Sequence, residues 1–217
     1  MTSTATARSQ NSWDFDFSTP YPTQDSDLLK QLSFIPGLKE ILMARQVHAL
    51  EHATVWVLGD MARPRGIGDR FEEQQDNETL GGLSTDRGFY LYGPVNRIHL
   101  GRAVRRALER LKSGEWDLAL HPRCGTNTSV SRLLTAGFFA GISLLFPRGP
   151  LEQLFAFGIA TTAAAQLSPD LGNLAQKHLT TSIPFNLEVD SISQTTDLWG
   201  RSAYFIGVRW CESSVVR

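Results

Sequence analysis

Between the Pro36–Gly37 break and Gly59 the chain carries one long helix-forming run, roughly Leu38 to Leu58, with no proline or glycine inside it. Gly59 reads as its stop. The stretch from Arg45 to Asp60, RQVHALEHATVWVLGD, is apolar enough for a core helix. Its middle nevertheless holds His48, Glu51 and His52. Residues three and four apart share a helical face, so these three point the same way. Two imidazoles one turn apart can both reach a single metal ion.

The order His-x-x-Glu-His is the inverzincin pattern, in which the histidines bind zinc and the glutamate serves as general base on water. The plain alternative is two satisfied core histidines beside an ion-paired Glu51. A second stretch, HPRCGTN, bears on that choice with His121 and Cys124 at a spacing of three. Imidazole and thiolate are ligands that zinc favours. Pro122 fixes the backbone after His121, and Gly125 lets the chain turn after Cys124. Of the five histidines, His48, His52 and His121 fall in the two motifs, while His99 and His178 do not. The expectation is one site made of His48, His52 and one or both of His121 and Cys124. Cys124 is otherwise an incidental loop thiol, or a nucleophile beside a histidine.

A chain of 217 residues forms one large domain or a domain with an appendage. A net charge of -1 with 41% hydrophobic residues points neither to a nucleic-acid partner nor to general disorder. Cys124 and Cys211 are too few for a disulfide framework, which makes a reducing compartment the default and leaves one bridge open. Residues 1–26 lack the apolar core of a signal peptide and read as a disordered tail.

Residues 27–128 form a metal-motif region. Within it, 61–82 reads as polar loop. Asp86, Arg87 and Gly88 mark a β-hairpin turn. Arg97 to Ser113 is an amphipathic helix, with Ile98, Val104, Leu108 and Leu111 on its apolar face. Its basic face of Arg102, Arg105, Arg106 and Arg110 reads as solvated, with anionic lipid or a partner as the alternative. The segment WDLALHPRCGTNTSV is too broken for a helix.

Residues 129–170 hold two apolar runs, Leu133–Phe146 and Leu154–Leu167, joined by a short connector that favours an antiparallel helical hairpin. Runs of this length more often make buried or re-entrant helices than spans. They are rich in glycine and alanine and apolar all round, which raises the expectation of a hairpin embedded in or docked on a bilayer. Residues 171–217 return to polar sequence and are expected to pack back on the metal-motif region, with SAYFIGVRW as a terminal strand. The expected fold is α+β and mostly α: a long metal-bearing helix, a small β-hairpin element and the apolar helical hairpin.

HALEH, then HPRCGTN before an apolar helix, then LAQKHLTTSIPFNLEV, in that order, resemble the YqhQ-like family of bacterial membrane proteins. The resemblance spans roughly Arg45 to Ile192, with HPRCGT its most specific part. It falls on His48, Glu51, His52, His121, Pro122, Arg123, Cys124, Gly125 and Thr126, and later on Leu179, Thr180, Thr181, Pro184, Leu187, Glu188 and Val189. The chain departs from that family in having fewer hydrophobic helices. It also inserts GGLSTDRGFYLYGPV and an Arg-rich helix, which makes it more similar to a smaller sister group. The resemblance implies metal binding and membrane attachment, but no particular reaction.

Together these readings give an expected zinc-dependent, membrane-associated hydrolase, with a peptidase-like type as one option. Glu51 is the expected catalytic residue, and His48, His52, His121 and Cys124 are the candidate ligands. The alternative is a non-catalytic membrane scaffold or assembly factor with all four ligands closing a structural site. The expected partners are a lipid bilayer and a protein or peptide substrate. The metal motifs are expected on the cytoplasmic side, because a signal peptide is lacking and the cysteines are free.

Overall fold

The computed structural model describes residues 19–62, 77–146 and 149–212. Its centre is helix α2 (Leu38–Ala62), preceded by α1 (Gln24–Gln31). Strands β1 (Gly81–Thr85) and β2 (Gly88–Tyr92) form a hairpin, followed by α3 (Arg97–Lys112). A 3-10 turn at Trp116–Ala119 leads into α4 (Gly125–Ser143) and α5 (Pro150–Ala175). A π-helical turn at Gln176–Thr180 ends α5 and precedes β3 (Leu187–Thr196) and β4 (Ser202–Trp210). The fold is α+β and mostly helical, with one antiparallel sheet in the order β1-β2-β4-β3.

Helix α2 is buried nearly all round from Gln46 to Gly59, as its apolar sequence requires. It packs on α3 and on strands β1 and β2. Leu50, Phe89, Leu91, Leu100, Leu111 and Ile206 are fully buried in the core they share. Gly59 does not stop the helix. It is buried and stays helical, and a glycine inside a helix costs about 1 kcal/mol rather than ending it.

The tail expected to reach Ser26 is ordered before that point. Helix α1 begins at Gln24, and Asp25 and Ser26 are buried. Asp25 accepts hydrogen bonds from Gln46 (2.6 Å) and the Ser182 hydroxyl (2.9 Å), while Asn186 donates to the Ser26 hydroxyl at 2.8 Å. These bonds tie α1 to α2 and to the segment before β3. Residues 1–18, with Trp13 and Phe15, and most of the polar loop expected at 61–82 lie outside the described residues.

In α3 the apolar face is Leu100, Ala103, Val104, Ala107 and Leu111. Ile98 is exposed, because it sits two residues from Leu100 and so about 200° around the helix. The sheet is also larger than a hairpin with one added strand, since β3 pairs along β4 over its whole length.

The largest correction concerns residues 129–170. Helices α4 and α5 do pack against each other, through Ala156, Ala160 and Ala164 at four-residue spacing. No described helix is long and apolar enough to cross a membrane. Helix α4 begins with the polar turns GTNTS, and α5 carries Glu152, Gln153, Thr161, Thr162, Gln166 and Asp170. The uninterrupted apolar length of about 20 residues that a span requires is therefore not reached. The expected membrane-embedded hairpin, transmembrane helix and membrane location with a cytoplasmic-side site, drawn from the glycine- and alanine-rich, all-round apolar character of the two runs and from the family resemblance, are corrected by this finding.

Candidate metal centre

Three side chains from two distant stretches converge. The ligand atoms of His48, His52 and Cys124 lie within 4.8 Å of one another, forming a cluster that can hold a metal ion. His48 and His52 sit one turn apart on α2, with ring centroids 4.4 Å apart. Cys124 Sγ is 3.2 Å from His48 Nε2. A tetrahedral zinc with bonds of about 2.0–2.3 Å needs ligand atoms roughly 3.3–3.6 Å apart, so little contraction would be required.

The backbone sets the tautomers. His48 Nδ1 lies 3.0 Å from the Thr180 carbonyl, and His52 Nδ1 lies 2.6 Å from the Ala119 carbonyl. A carbonyl only accepts, so each Nδ1 carries a proton, and in the neutral form of each ring Nε2 is the nitrogen that bears the lone pair. Such outer hydrogen bonds fix ring orientation and raise ligand basicity. The Ala119 carbonyl comes from the end of the 3-10 turn, and the Thr180 carbonyl from the π-helical turn. Both irregular turns thus have a role at the site.

Cys124 is the N-cap of α4, and its sulfur accepts from the Thr126 amide at 3.4 Å. Helix α4 starts there, well before the apolar run at Leu133, which corrects the expectation of a non-helical segment through residue 130. Burial pushes the Cys124 thiol up, but the hydrogen bond and charge of His52, with the Thr126 bonds, outweigh it and leave the thiol below its ordinary range.

Glu51 is buried beside the cluster but is not one of its converging ligands. Ser84 on β1 donates to Glu51 Oε2 at 2.5 Å. Burial raises the Glu51 carboxyl above its usual range, with the Ser84 bond and the charge of His48 partly opposing. The carboxylate also lies against the backbone of Gly82. A Cβ built there would come within 2.0 Å of Glu51 Oε1.

His121 stands outside the converging group. It is buried, with its ring centroid 5.6 Å from that of His52 and 4.8 Å from that of Trp56. Its Nδ1 accepts from the Arg123 amide at 3.3 Å. With Nδ1 accepting, the neutral ring carries its proton on Nε2. Gln176 holds the loop in place: its Oε1 accepts from the His121 amide (2.9 Å), and its Nε2 donates to Asn127 (2.7 Å). His99 is exposed on α3. The backbone of His178 accepts from Arg45.

A half-open cavity of about 600 Å³ is lined by His48, Glu51, His52, His121 and Cys124, with β1 along one side. That volume is within the range of small-molecule and substrate pockets.

The model of a family described as a domain of unknown function, DUF6391, matches residues 43–192. The chain belongs to that family. The DUF6391 match contains the whole His48–His52–Cys124 cluster, Glu51, Ser84 and both irregular turns, and ends inside β3. An uncharacterized protein of Picosynechococcus sp. is 49% identical over 198 residues, which cover 91% of this chain and 95% of its own length. No solved structure matches this member of the DUF6391 family.

Sequence reasoning missed Ser84, Gly82, Gln176 and the two carbonyls. Only Thr180 had a signal, through the late Leu-Thr-Thr segment of the YqhQ-like resemblance.

Proposed function

We propose that the chain is a zinc-dependent hydrolase of peptidase type. His48, His52 and Cys124 hold the zinc, and Glu51 is the general base. The observation that carries this reading is three converging ligand atoms, not four, beside a buried carboxylate in an open cavity. Zinc with three protein donors keeps a fourth position open and acidifies water there. Two imidazoles and a thiolate suit zinc among the common divalent ions.

Glu51 takes the proton of the attacking water. Its raised carboxyl brings it closer to the pH at which a base both holds and releases a proton. Ser84 orients that carboxylate through Oε2. His121, protonated at Nε2, lines the same cavity as a proton donor. A relation to the YqhQ-like proteins is part of the proposal and is supported by the shared order of motifs.

The 3.2 Å contact between Cys124 Sγ and His48 Nε2 favours a second reading, in which Cys124 is itself the nucleophile. One experiment tests both. The zinc-loaded chain should hydrolyse fluorescently quenched casein, and Glu51→Gln should abolish hydrolysis while retaining zinc. Hydrolysis that survives removal of zinc by a chelator would favour the cysteine nucleophile. A zinc-loaded protein without hydrolysis would count against the hydrolase.

A further inference from the structure

Among the described residues strand β1 is the outer strand of the sheet, paired with β2 alone, and it borders the cavity that holds the cluster. Residues Leu80 to Ser84 line that cavity in unbroken succession. A strand presenting one face would contribute only every second residue. An unbroken run means that the cavity follows the strand's edge and meets its backbone.

The register tells which backbone groups are on offer. Thr85 pairs with Gly88 across the two-residue turn, and such turns close on a hydrogen-bonded pair. By alternation, Leu83–Tyr90 and Gly81–Tyr92 are the other bonded pairs. The N–H and C=O groups of Gly82 and Ser84 therefore point away from β2. Among the described residues no backbone group pairs with them. Gly81, Gly82 and Leu83 are exposed, and β1 contains no proline or charged residue of the kind that guards an edge. The side chains tell the same story, because Ser84 bonds Glu51 and the bare Gly82 admits it. The same two residues thus offer backbone groups that no described residue pairs with, and position the carboxylate.

The geometry points to β1 as the docking edge for an extended segment of polypeptide, which joins the sheet as a fifth strand and lies alongside the metal cluster. The inference rests on the hydrolase reading and supplies its substrate class, the peptide bond of an unfolded or extended chain. Main-chain pairing gives affinity with little demand on sequence. The reaction consumes one water. Its oxygen bonds the carbonyl carbon, and the C–N bond breaks with its electron pair passing to nitrogen. The proton taken by Glu51 then passes to the leaving amine.

The test uses the full chain carrying Glu51→Gln, loaded with zinc, so that the probe stays intact. The probe is reduced, carboxymethylated lactalbumin, a permanently unfolded polypeptide. Amide hydrogen exchange is followed residue by residue by NMR. The amides of Gly82 and Ser84 should slow by about tenfold or more when the probe is added. Those of Leu83 and Thr85, already bonded to β2, should change far less. Absence of binding, or binding without protection of Gly82 and Ser84, would overturn the inference. Zinc content of the same sample separates the two claims. Zinc present with the two amides unprotected removes the docking edge alone, whereas protection without zinc keeps the edge and removes the hydrolase.

Discussion

Gly82→Ala probes the link between β1 and the cluster. The new Cβ would lie 2.0 Å from Glu51 Oε1, 2.3 Å from Cδ and 2.6 Å from Cγ. Ordinary contacts of this kind are about 3.5 Å, so the carboxylate or the strand has to retreat by about 1–1.5 Å. The carboxylate cannot move that far and keep its 2.5 Å bond from Ser84. Losing a hydrogen bond to a charged group costs about 1.5–3 kcal/mol, and overpacking costs a similar amount if the strand moves instead. The expected loss is about 2 kcal/mol in urea unfolding, or about 4–8 °C in Tm for a chain of this size. Zinc content should stay unchanged, since no ligand is touched. In a Glu51→Ala background the clash has no partner, so the same substitution should cost less than about 0.5 kcal/mol. Equal cost in both backgrounds would refute the contact argument, as would a loss below about 0.5 kcal/mol in the parent chain.

Other consequences follow from the same structure. His52→Ala should abolish zinc binding and Cys124→Ser should weaken it, read by metal analysis after dialysis. In the parent chain, zinc affinity should fall as pH drops, because protons compete with the metal for its ligand atoms. Ala160→Leu should destabilise the α4–α5 contact by about 1–3 kcal/mol, because Ala160 is fully buried there, whereas Ile159→Ala, half exposed, should change unfolding by less than about 0.5 kcal/mol. Asp197 anchors the β3–β4 turn. Burial raises its carboxyl, but the Arg201 and Trp199 amides, the Tyr92 hydroxyl and the Arg201 guanidinium outweigh that and hold it at about 2. This folded value lies below the unfolded one of about 3.9, so the stabilisation is complete above about pH 5 and disappears as pH falls toward 2. Asp197→Asn should therefore be less stable than the parent at pH 7 and show a flatter acid profile below pH 4 by circular dichroism.

Much of the helical frame could be read in the sequence because its signals are local. Helix α2 announces itself by an unbroken apolar run, and His48, Glu51 and His52 by spacing. Strand β4 shows as SAYFIGVRW. Strand β3 was hidden by a bulge: its apolar residues Leu187, Val189 and Ile192 are spaced by two and then three, because the register shifts between Val189 and Ser191. The bilayer expectation, drawn from the glycine- and alanine-rich character of the two runs and from the family resemblance, failed because it did not weigh the polar residues that interrupt both helices. At the site, the pairing of HALEH with Cys124 was legible from ligand chemistry. His121 lies outside the converging group by distance, its ring centroid 5.6 Å from that of His52, and no spacing encodes that. The carbonyls of Ala119 and Thr180 have no side-chain signature at all. Gly82 and Ser84 matter only because the sheet brings them to Glu51, a contact made across the fold.

The most direct test of the account is the metal itself. Purified protein, loaded with zinc and dialysed, should retain one ion per chain. X-ray absorption at the zinc edge should show two imidazole nitrogens, one sulfur at about 2.3 Å and one solvent oxygen. A chain that keeps no stoichiometric metal, or a shell without sulfur, would contradict the cluster. A shell closed by three imidazoles and one sulfur would bring His121 in and contradict the open, catalytic site.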